Sequence, residues 1–251
     1  MLSIVGRVLG RNSRLFRELI VFRRFGWNRP RWLSGLDKVL QTYNACKNGV
    51  VRFVQIGSND GMSGDPLHKY IKKYEWRGIL VEPMQSIFDR LVANYQGEQQ
   101  RLYFANVAVG PADGFSSFFY VDDKAKELPE WASQLSSFNR DVIEKHTAYF
   151  PGIQDRIKEI AIETLRIDSL LERFQFYEVD LVHIDTEGSD YETLKTINFD
   201  RISPDIIIYE HKHLSSREAQ ESVSLLRKWG YKLYICGGDC LAVKKTMALN
   251  F

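Results

Sequence analysis

The stretch VRFVQIGSNDGMSGDPLHKY, residues 51–70, runs an apolar strand into a loop of glycines and short polar residues and then into a helix. Leu67, Tyr70, Ile71 and Tyr74 fall at i, i+3, i+4 and i+7, and Pro66 stands where a first helical turn tolerates it. The unit then repeats. GILVE (78–82) reads as a second strand, QSIFDRLVANY (85–95) as a helix with Ile87, Phe88, Leu91 and Tyr95 on one stripe, and RLYFANVAVG (101–110) as a third strand. VDLVHID (179–185) and PDIIIYEH (204–211) are further apolar runs of strand length, and SREAQESVSLLRKWG (216–230) is a helix stopped by Gly230. YKLYIC and CLAVKK, around the GGD of residues 237–239, close the chain as a hairpin. Strands alternating with helices predict an α/β fold, a mostly parallel sheet covered on both faces. FSSFFYV (115–121) reads as a strand or hairpin arm, and residues 122–163 as an insertion with one or two short helices, a usual place for substrate selection.

A chain of 251 residues, 44% hydrophobic and 26% charged, can bury a full core as one large α/β domain or two small ones. Three cysteines, Cys46, Cys236 and Cys240, are too few and scattered for a disulfide framework and suit a reducing, cytoplasmic setting. Cys236 and Cys240 flank the GGD of the expected hairpin, but no second Cys or His pair stands at zinc spacing. No run reaches the roughly 18 apolar residues that a membrane span requires. Charge is uneven: residues 1–33 carry eight Arg against the single Glu18, whereas the remainder holds 26 basic and 31 acidic side chains. Arg7, Arg11, Arg14 and Glu18 recur at helical spacing with Val5, Leu9, Phe16 and Leu19 on another side. That basic helix reads as a solvated face packed on the domain, a peripheral contact with an anionic membrane, or an organellar transit segment. The organisation expected is a basic helical segment over 1–49 and one domain over 50–251.

Gly57 and Gly61 sit at the carboxyl end of the first strand, where open α/β sheets bind ligands beside their topological switch point. A dinucleotide fingerprint needs a glycine where Asn59 stands, and a phosphate loop ending in Gly-Lys-Ser/Thr is missing. Glu82, 25 positions after Gly57, can accept hydrogen bonds from both hydroxyls of a ribose. Each feature alone also fits an ordinary turn glycine or a solvated carboxylate. Together they predict a nucleoside site with no diphosphate grip.

FVQIGSNDG, the DPL beyond it, WRGILVEP, VDLVHIDTEGSDYETL and IIIYEHKHL, in that order, resemble the FkbM-type methyltransferases, which use S-adenosylmethionine. The likeness covers roughly residues 50–245, and IDTEGSDYETL is its most specific block. It implies a class I, Rossmann-like methyltransferase fold: a seven-stranded sheet whose last two strands form an antiparallel hairpin. On that basis Gly57, Ser58, Asn59 and Gly61 approach the amino acid end of the cofactor, Glu82 its ribose and Asn106 its adenine, with a turn-capping role for Asn106 as the alternative. Ser58 stands where the family pattern has Ala. The resemblance also implies an acceptor that is a saccharide, a glycolipid or a natural product, and it marks His146, in the passage RDVIEKHTAYF, as an acid/base candidate.

The chemistry points to two strand ends. A sulfonium methyl is already activated, so the protein has to align a nucleophile with it and, for a hydroxyl, remove a proton. Asp185, Glu187 and Asp190 follow one strand, and Glu210, His211 and His213 the next. The candidate catalytic residues are Asp185, His211, Glu187 and His146, and Asp185 also borders the cofactor. A divalent cation, Mg²⁺ or Mn²⁺, on Asp185, Glu210 and His211 is the alternative to a metal-free base. Local capping roles compete for Glu187 and Asp190, and His183 reads as a polar sheet residue. The reading is an S-adenosylmethionine-dependent O-methyltransferase acting on a small-molecule or glycan acceptor. A non-catalytic nucleoside-binding or scaffolding protein is the rival. Asn59 disfavours a dehydrogenase, and the acidic body without a base-reading module disfavours nucleic acid.

Overall fold

The computed structural model describes residues 35–122, 128, 135–148 and 151–247; the Arg-rich segment and the readings attached to it lie outside them. The first half of the described chain runs α1 (Leu36–Cys46), β1 (Arg52–Ile56), α2 (His68–Lys73), β2 (Arg77–Val81), α3 (Gln85–Asn94), β3 (Leu102–Ala105), β4 (Ala108–Val109) and β5 (Gly114–Val121). Then come β6 (Ser136–Ser137), α4 (Arg140–Glu144), β7 (Ile157–Leu165), α5 (Ile167–Arg173), β8 (Leu181–Ile184), α6 (Asp190–Lys195), β9 (Ile206–Glu210), α7 (Ser216–Lys228), β10 (Tyr231–Cys236) and β11 (Asp239–Lys244). Seven strands form the main sheet in the order β10-β11-β9-β8-β1-β2-β3. Its pairs are parallel except the two made by β11, the returning arm of the predicted hairpin.

Strand alternation divides the apolar residues between two cores. Val54, Ile56, Val81, Val182, Ile184 and Ile207 pack with Leu170, Leu194, Val223 and Leu226 of α5, α6 and α7. Phe53, Leu80, Leu181, Ile206, Ile208 and Leu241 pack on the opposite face with Leu40, Tyr43, Leu67, Ile71 and Leu91 of the α1–α3 side. The Tyr43 hydroxyl donates to Asp205 at 2.9 Å, and the Lys47 ammonium to Asp180 at 2.7 Å. The folded unit therefore takes in α1, ahead of the boundary at residue 50 that the sequence pattern suggests. Among the described residues, no helix is long and apolar enough to cross a membrane.

The insertion holds a short helix, α4, and two 3-10 turns, as expected, and in addition supplies β7, which pairs antiparallel with β5 from Gly114↔Thr164 to Val121↔Ile157. β4-β7-β5-β6 make a second, smaller sheet. Alternation in β7 is diluted by Lys158, Glu159 and Glu163, and Ile160 stays 43% exposed, so the segment carries little strand signal. Within the main sheet the chain leaves β1 in one direction through β2 to β3, then returns on the other side of β1 at β8. The switch point lies between β1 and β8, where the Asp185 N–H donates to the Ile56 carbonyl at 2.9 Å.

Candidate active site

Gly57 is required by the closeness of β8. Its φ is +78°, and a Cβ built on it would sit 1.8 Å from the Asp185 carbonyl oxygen, a backbone atom that cannot swing aside. Asn59 follows at φ 50°, a left-handed conformation that Asn tolerates. Ser58 is 2% exposed; its hydroxyl donates to the Gln55 carbonyl at 3.0 Å and accepts the Val81 N–H at 3.1 Å. It splints β1 to β2 and is not among the cleft residues. Gly61 also lies outside the cleft: its carbonyl accepts the Tyr95 hydroxyl at 2.9 Å, and a Cβ would meet Leu91 and Tyr95 at 2.5 Å. The loop's own packing takes up both residues.

Glu82, 4% exposed, accepts the Asn59 N–H on one carboxylate oxygen at 3.0 Å and the Met84 N–H on the other at 2.9 Å. Burial pushes its pKa up to about 7, against the pull of those two bonds. Each oxygen keeps a second lone pair for a hydroxyl donor. A cleft opens here, lined by Gly57, Asn59 and Glu82 and by Asp185, Thr186 and Glu187. Val107, Phe118 and Phe138 complete the wall; the two rings meet edge to face with centroids 5.0 Å apart. Asn106 lines a neighbouring opening that shares Pro83, and its amide N–H groups donate to the Glu82 and Pro83 carbonyls at 2.9 Å, which is the turn-locking alternative.

The rim is built by two strand ends and one buried acid. Glu187 has φ 47° and its carbonyl accepts the Ser137 hydroxyl at 3.0 Å, so β6 of the insertion fastens the turn that follows β8. The Asp190 carboxylate, fully buried, accepts the N–H groups of Gly188 and Glu210, each at 3.2 Å. Burial, then the neighbouring Asp185 and Glu210, raise its pKa well above the carboxylate range. Glu210 is also pushed up, to about 7, by burial and by Asp185, with Lys212 opposing through an ion pair to one carboxylate oxygen. Burial raises Asp185 too, with His183 opposing and Glu187 adding.

His213, not His211, is the imidazole at this rim. Its Nε2 lies 3.2 Å from the Glu187 carboxylate and 3.4 Å from that of Glu210. His211 is 6% exposed and its backbone N–H donates to the Gly238 carbonyl at 3.0 Å; neither imidazole lines the cleft itself. Adjacent residues at a strand end point to opposite faces, and Glu210 takes the rim side. Of the metal candidates Asp185, Glu210 and His211, Glu210 alone belongs to a group of ligand type, formed with Glu187 and His213. The His146 side chain lies outside the described residues. Sequence reading also passes over Asp239, which stands opposite Glu210 in the β9–β11 register, and its carboxyl is raised by burial with His183 opposing. His183, 5% exposed, is the cross-strand neighbour of Gln55 behind the rim. The rim thus gathers carboxylates able to hold a proton or a cation, a few ångströms from a nucleoside-type glycine loop.

Residues 55–233 match the methyltransferase FkbM domain. The structure is similar to that of methyltransferase FkbM from Methylobacillus flagellatus KT, at 15% identity and a TM-score of 0.50 over 78% of this chain; the match spans 44% of that protein, less than half its length. An O-methyltransferase from Bacillus cereus in complex with SAH covers 96% of both chains at 11% identity and a TM-score of 0.44. Fibrillarin from Aeropyrum pernix, in complex with natively bound S-adenosyl-L-methionine, covers 77% of this chain and 66% of its own at 10% identity and a TM-score of 0.42. No curated protein matches the chain. With the FkbM domain matched from β1 into β10 on a seven-stranded sheet of the class I methyltransferase type, the chain belongs to the FkbM family of S-adenosylmethionine-dependent methyltransferases.

Proposed function

We propose that the chain transfers a methyl group from S-adenosylmethionine to a hydroxyl oxygen of a saccharide, a glycolipid or a natural product. One observation carries the reading: a single cleft has a nucleoside-type wall, Gly57, Asn59 and Glu82, facing a proton-accepting wall, Asp185 and Glu187. The residues present fit the cofactor. Gly57 leaves the strand end bare where a Cβ would collide, and Glu82 brings a buried carboxylate with acceptor capacity to the cleft. S-adenosylmethionine supplies an activated methyl carbon. What remains for the protein is to position the acceptor and take its proton.

An alcohol is a poor nucleophile while protonated, so the acceptor hydroxyl needs a base within reach. Asp185 suits that role: its Oδ1 is buried with no hydrogen-bond partner, and burial raises its pKa toward that of a working base. Glu187, on the same rim, is the second carboxylate able to hold the proton. Phe118 and Phe138 offer an apolar face to the C–H side of a sugar ring and keep water from that wall. The test is transfer of a labelled methyl group to a pool of glycans, glycolipids and hydroxylated small molecules, with mass analysis of the product. Label on a hydroxyl oxygen is the expected result; label only on nitrogen, or on RNA or DNA, overturns the acceptor class.

A further inference from the structure

Glu187, Glu210 and His213 each offer one ligand atom, and these atoms lie within 4.8 Å of one another. His213 Nε2 stands 3.2 Å from Glu187 Oε2 and 3.4 Å from Glu210 Oε2. Two ligands bound at about 2.1 Å to one ion stand about 3.0 Å apart at a right angle and about 3.4 Å apart at the tetrahedral angle. Both separations are therefore those of adjacent ligands. The single Nε2 proton reaches both carboxylates only as a shared, three-centre bond.

A second observation points into the same spot. Glu210 is 6% exposed, and its Oε2, the atom nearest His213, is buried with no hydrogen-bond partner. A carboxylate oxygen removed from water without a partner is costly, and a bound cation removes that cost. Asp185 Oδ1 is orphaned in the same way beside it. Lys212 satisfies only the other oxygen of Glu210.

We propose that Glu187, Glu210 and His213 bind one divalent first-row cation of the manganese type at the edge of the methyl-transfer cleft. Two carboxylate oxygens and one imidazole nitrogen suit a first-row ion such as Mn²⁺ better than an all-oxygen ion such as Ca²⁺, and no thiolate is present to favour copper(I). Three protein ligands leave coordination positions open, and one of the three, Glu187, lines the cleft. Resting on the function proposed above, the cation's part there is to take the acceptor oxygen and lower its pKa, so that Asp185 receives the proton more readily.

Mn²⁺ is titrated into the full chain without cofactor, and the loss of the free-ion electron paramagnetic resonance signal is followed. One site is expected, weakened at least about tenfold in Glu210→Gln and in His213→Ala. Lys212→Gln is expected to tighten it, since the ammonium no longer competes for Glu210. S-adenosylmethionine affinity of the same variants, measured calorimetrically in the absence of Mn²⁺, stays near that of the parent; this shows an intact fold and separates failure of the cation site from failure of the cofactor reading. No uptake of Mn²⁺ at millimolar concentration, or equal uptake by His213→Ala, overturns the proposal.

Discussion

Asp190 accepts the backbone N–H of Glu210 at 3.2 Å, so a carboxyl at the start of α6 fixes where the neighbouring strand β9 ends. The same side chain accepts the Gly188 N–H at 3.2 Å, which ties the β8 turn to that strand end. Asp190 is fully buried, and burial together with the neighbouring Asp185 and Glu210 raises its pKa well above the carboxylate range. Asp190→Ala leaves both N–H groups unmet and is expected to cost about 2–4 kcal/mol. Asp190→Asn keeps one acceptor oxygen but turns its NH2 toward the other N–H, because Gly188 and Glu210 bond to different carboxylate oxygens, so it should recover only part of that loss and still cost about 1–2 kcal/mol. Denaturant midpoints of the two variants make the comparison; equal losses would mean that a single retained acceptor does not hold the rim.

Gly57 and Gly64 form a controlled pair. Both have positive φ, +78° and +74°, but a Cβ at Gly64 meets nothing within 4 Å whereas one at Gly57 lands 1.8 Å from the Asp185 carbonyl oxygen. Gly64→Ala therefore carries left-handed strain alone, about 1–2 kcal/mol. Gly57→Ala has in addition to part β1 from β8 and should cost more than about 3 kcal/mol and abolish cofactor binding. Thermal unfolding and calorimetry of both variants test this, and a Gly57→Ala protein with the melting temperature of its parent would sink it.

The main sheet is legible because its central strands are buried on both faces, which makes VDLVHID and PDIIIYEH predominantly apolar runs. α1, α5 and β7 are less so. α1 buries Val39, Leu40 and Tyr43 beside a strongly basic segment, α5 is two turns long, and β7 interleaves charge with its apolar residues. At the site, Gly57, Asn59, Glu82, Asp185 and Glu187 share one cleft, as strand-end placement implies. The choice between His211 and His213 turns on which face Glu210 occupies, and the link of Asp239 to Glu210 on a strand register; a residue pattern encodes neither. Phe118 and Phe138 reach the cleft through the small sheet, a long-range packing that leaves no local signature.

Asp180 anchors the opposite end of the sheet. Its carboxylate, 7% exposed, accepts from the Lys47 ammonium at 2.7 Å, the Arg52 N–H at 2.8 Å and the Arg52 Nε at 2.9 Å. Burial alone would raise its pKa, but the Arg52 and Lys47 bonds win and hold it below the usual range. The sign follows: the stabilisation is present above the ordinary carboxylate range and lost as the pH falls through the lowered value. Asp180→Ala should cost about 2–3 kcal/mol at neutral pH, discounted for the partial exposure of both cations. Glu178, 75% exposed on the same Arg52, should contribute under about 0.5 kcal/mol. Urea unfolding of Asp180→Ala and Glu178→Ala at neutral and acid pH checks the ranking, and the difference between the two should shrink in acid.

Glu82 sets a pH dependence of opposite sign for the free and the cofactor-bound protein. Burial raises its pKa to about 7, so in the free protein the neutral acid is favoured and the contribution to stability falls as pH rises from the ordinary carboxylate value through about 7. Ribose hydroxyls donating to the carboxylate favour the ionised form instead, so binding releases a proton below that pH. If the ionised form is the one that binds, affinity should rise about tenfold between pH 6 and pH 8, and the heat of binding near pH 6 should depend on the ionisation enthalpy of the buffer. Glu82→Gln should bind more weakly, by roughly 1.5–3 kcal/mol, and show neither the pH slope nor the buffer dependence. Calorimetric titration of S-adenosylhomocysteine, the demethylated product, reads all three quantities without turnover. A pH slope that survives in Glu82→Gln would assign the proton to another group, with the Asp185 rim the first place to look.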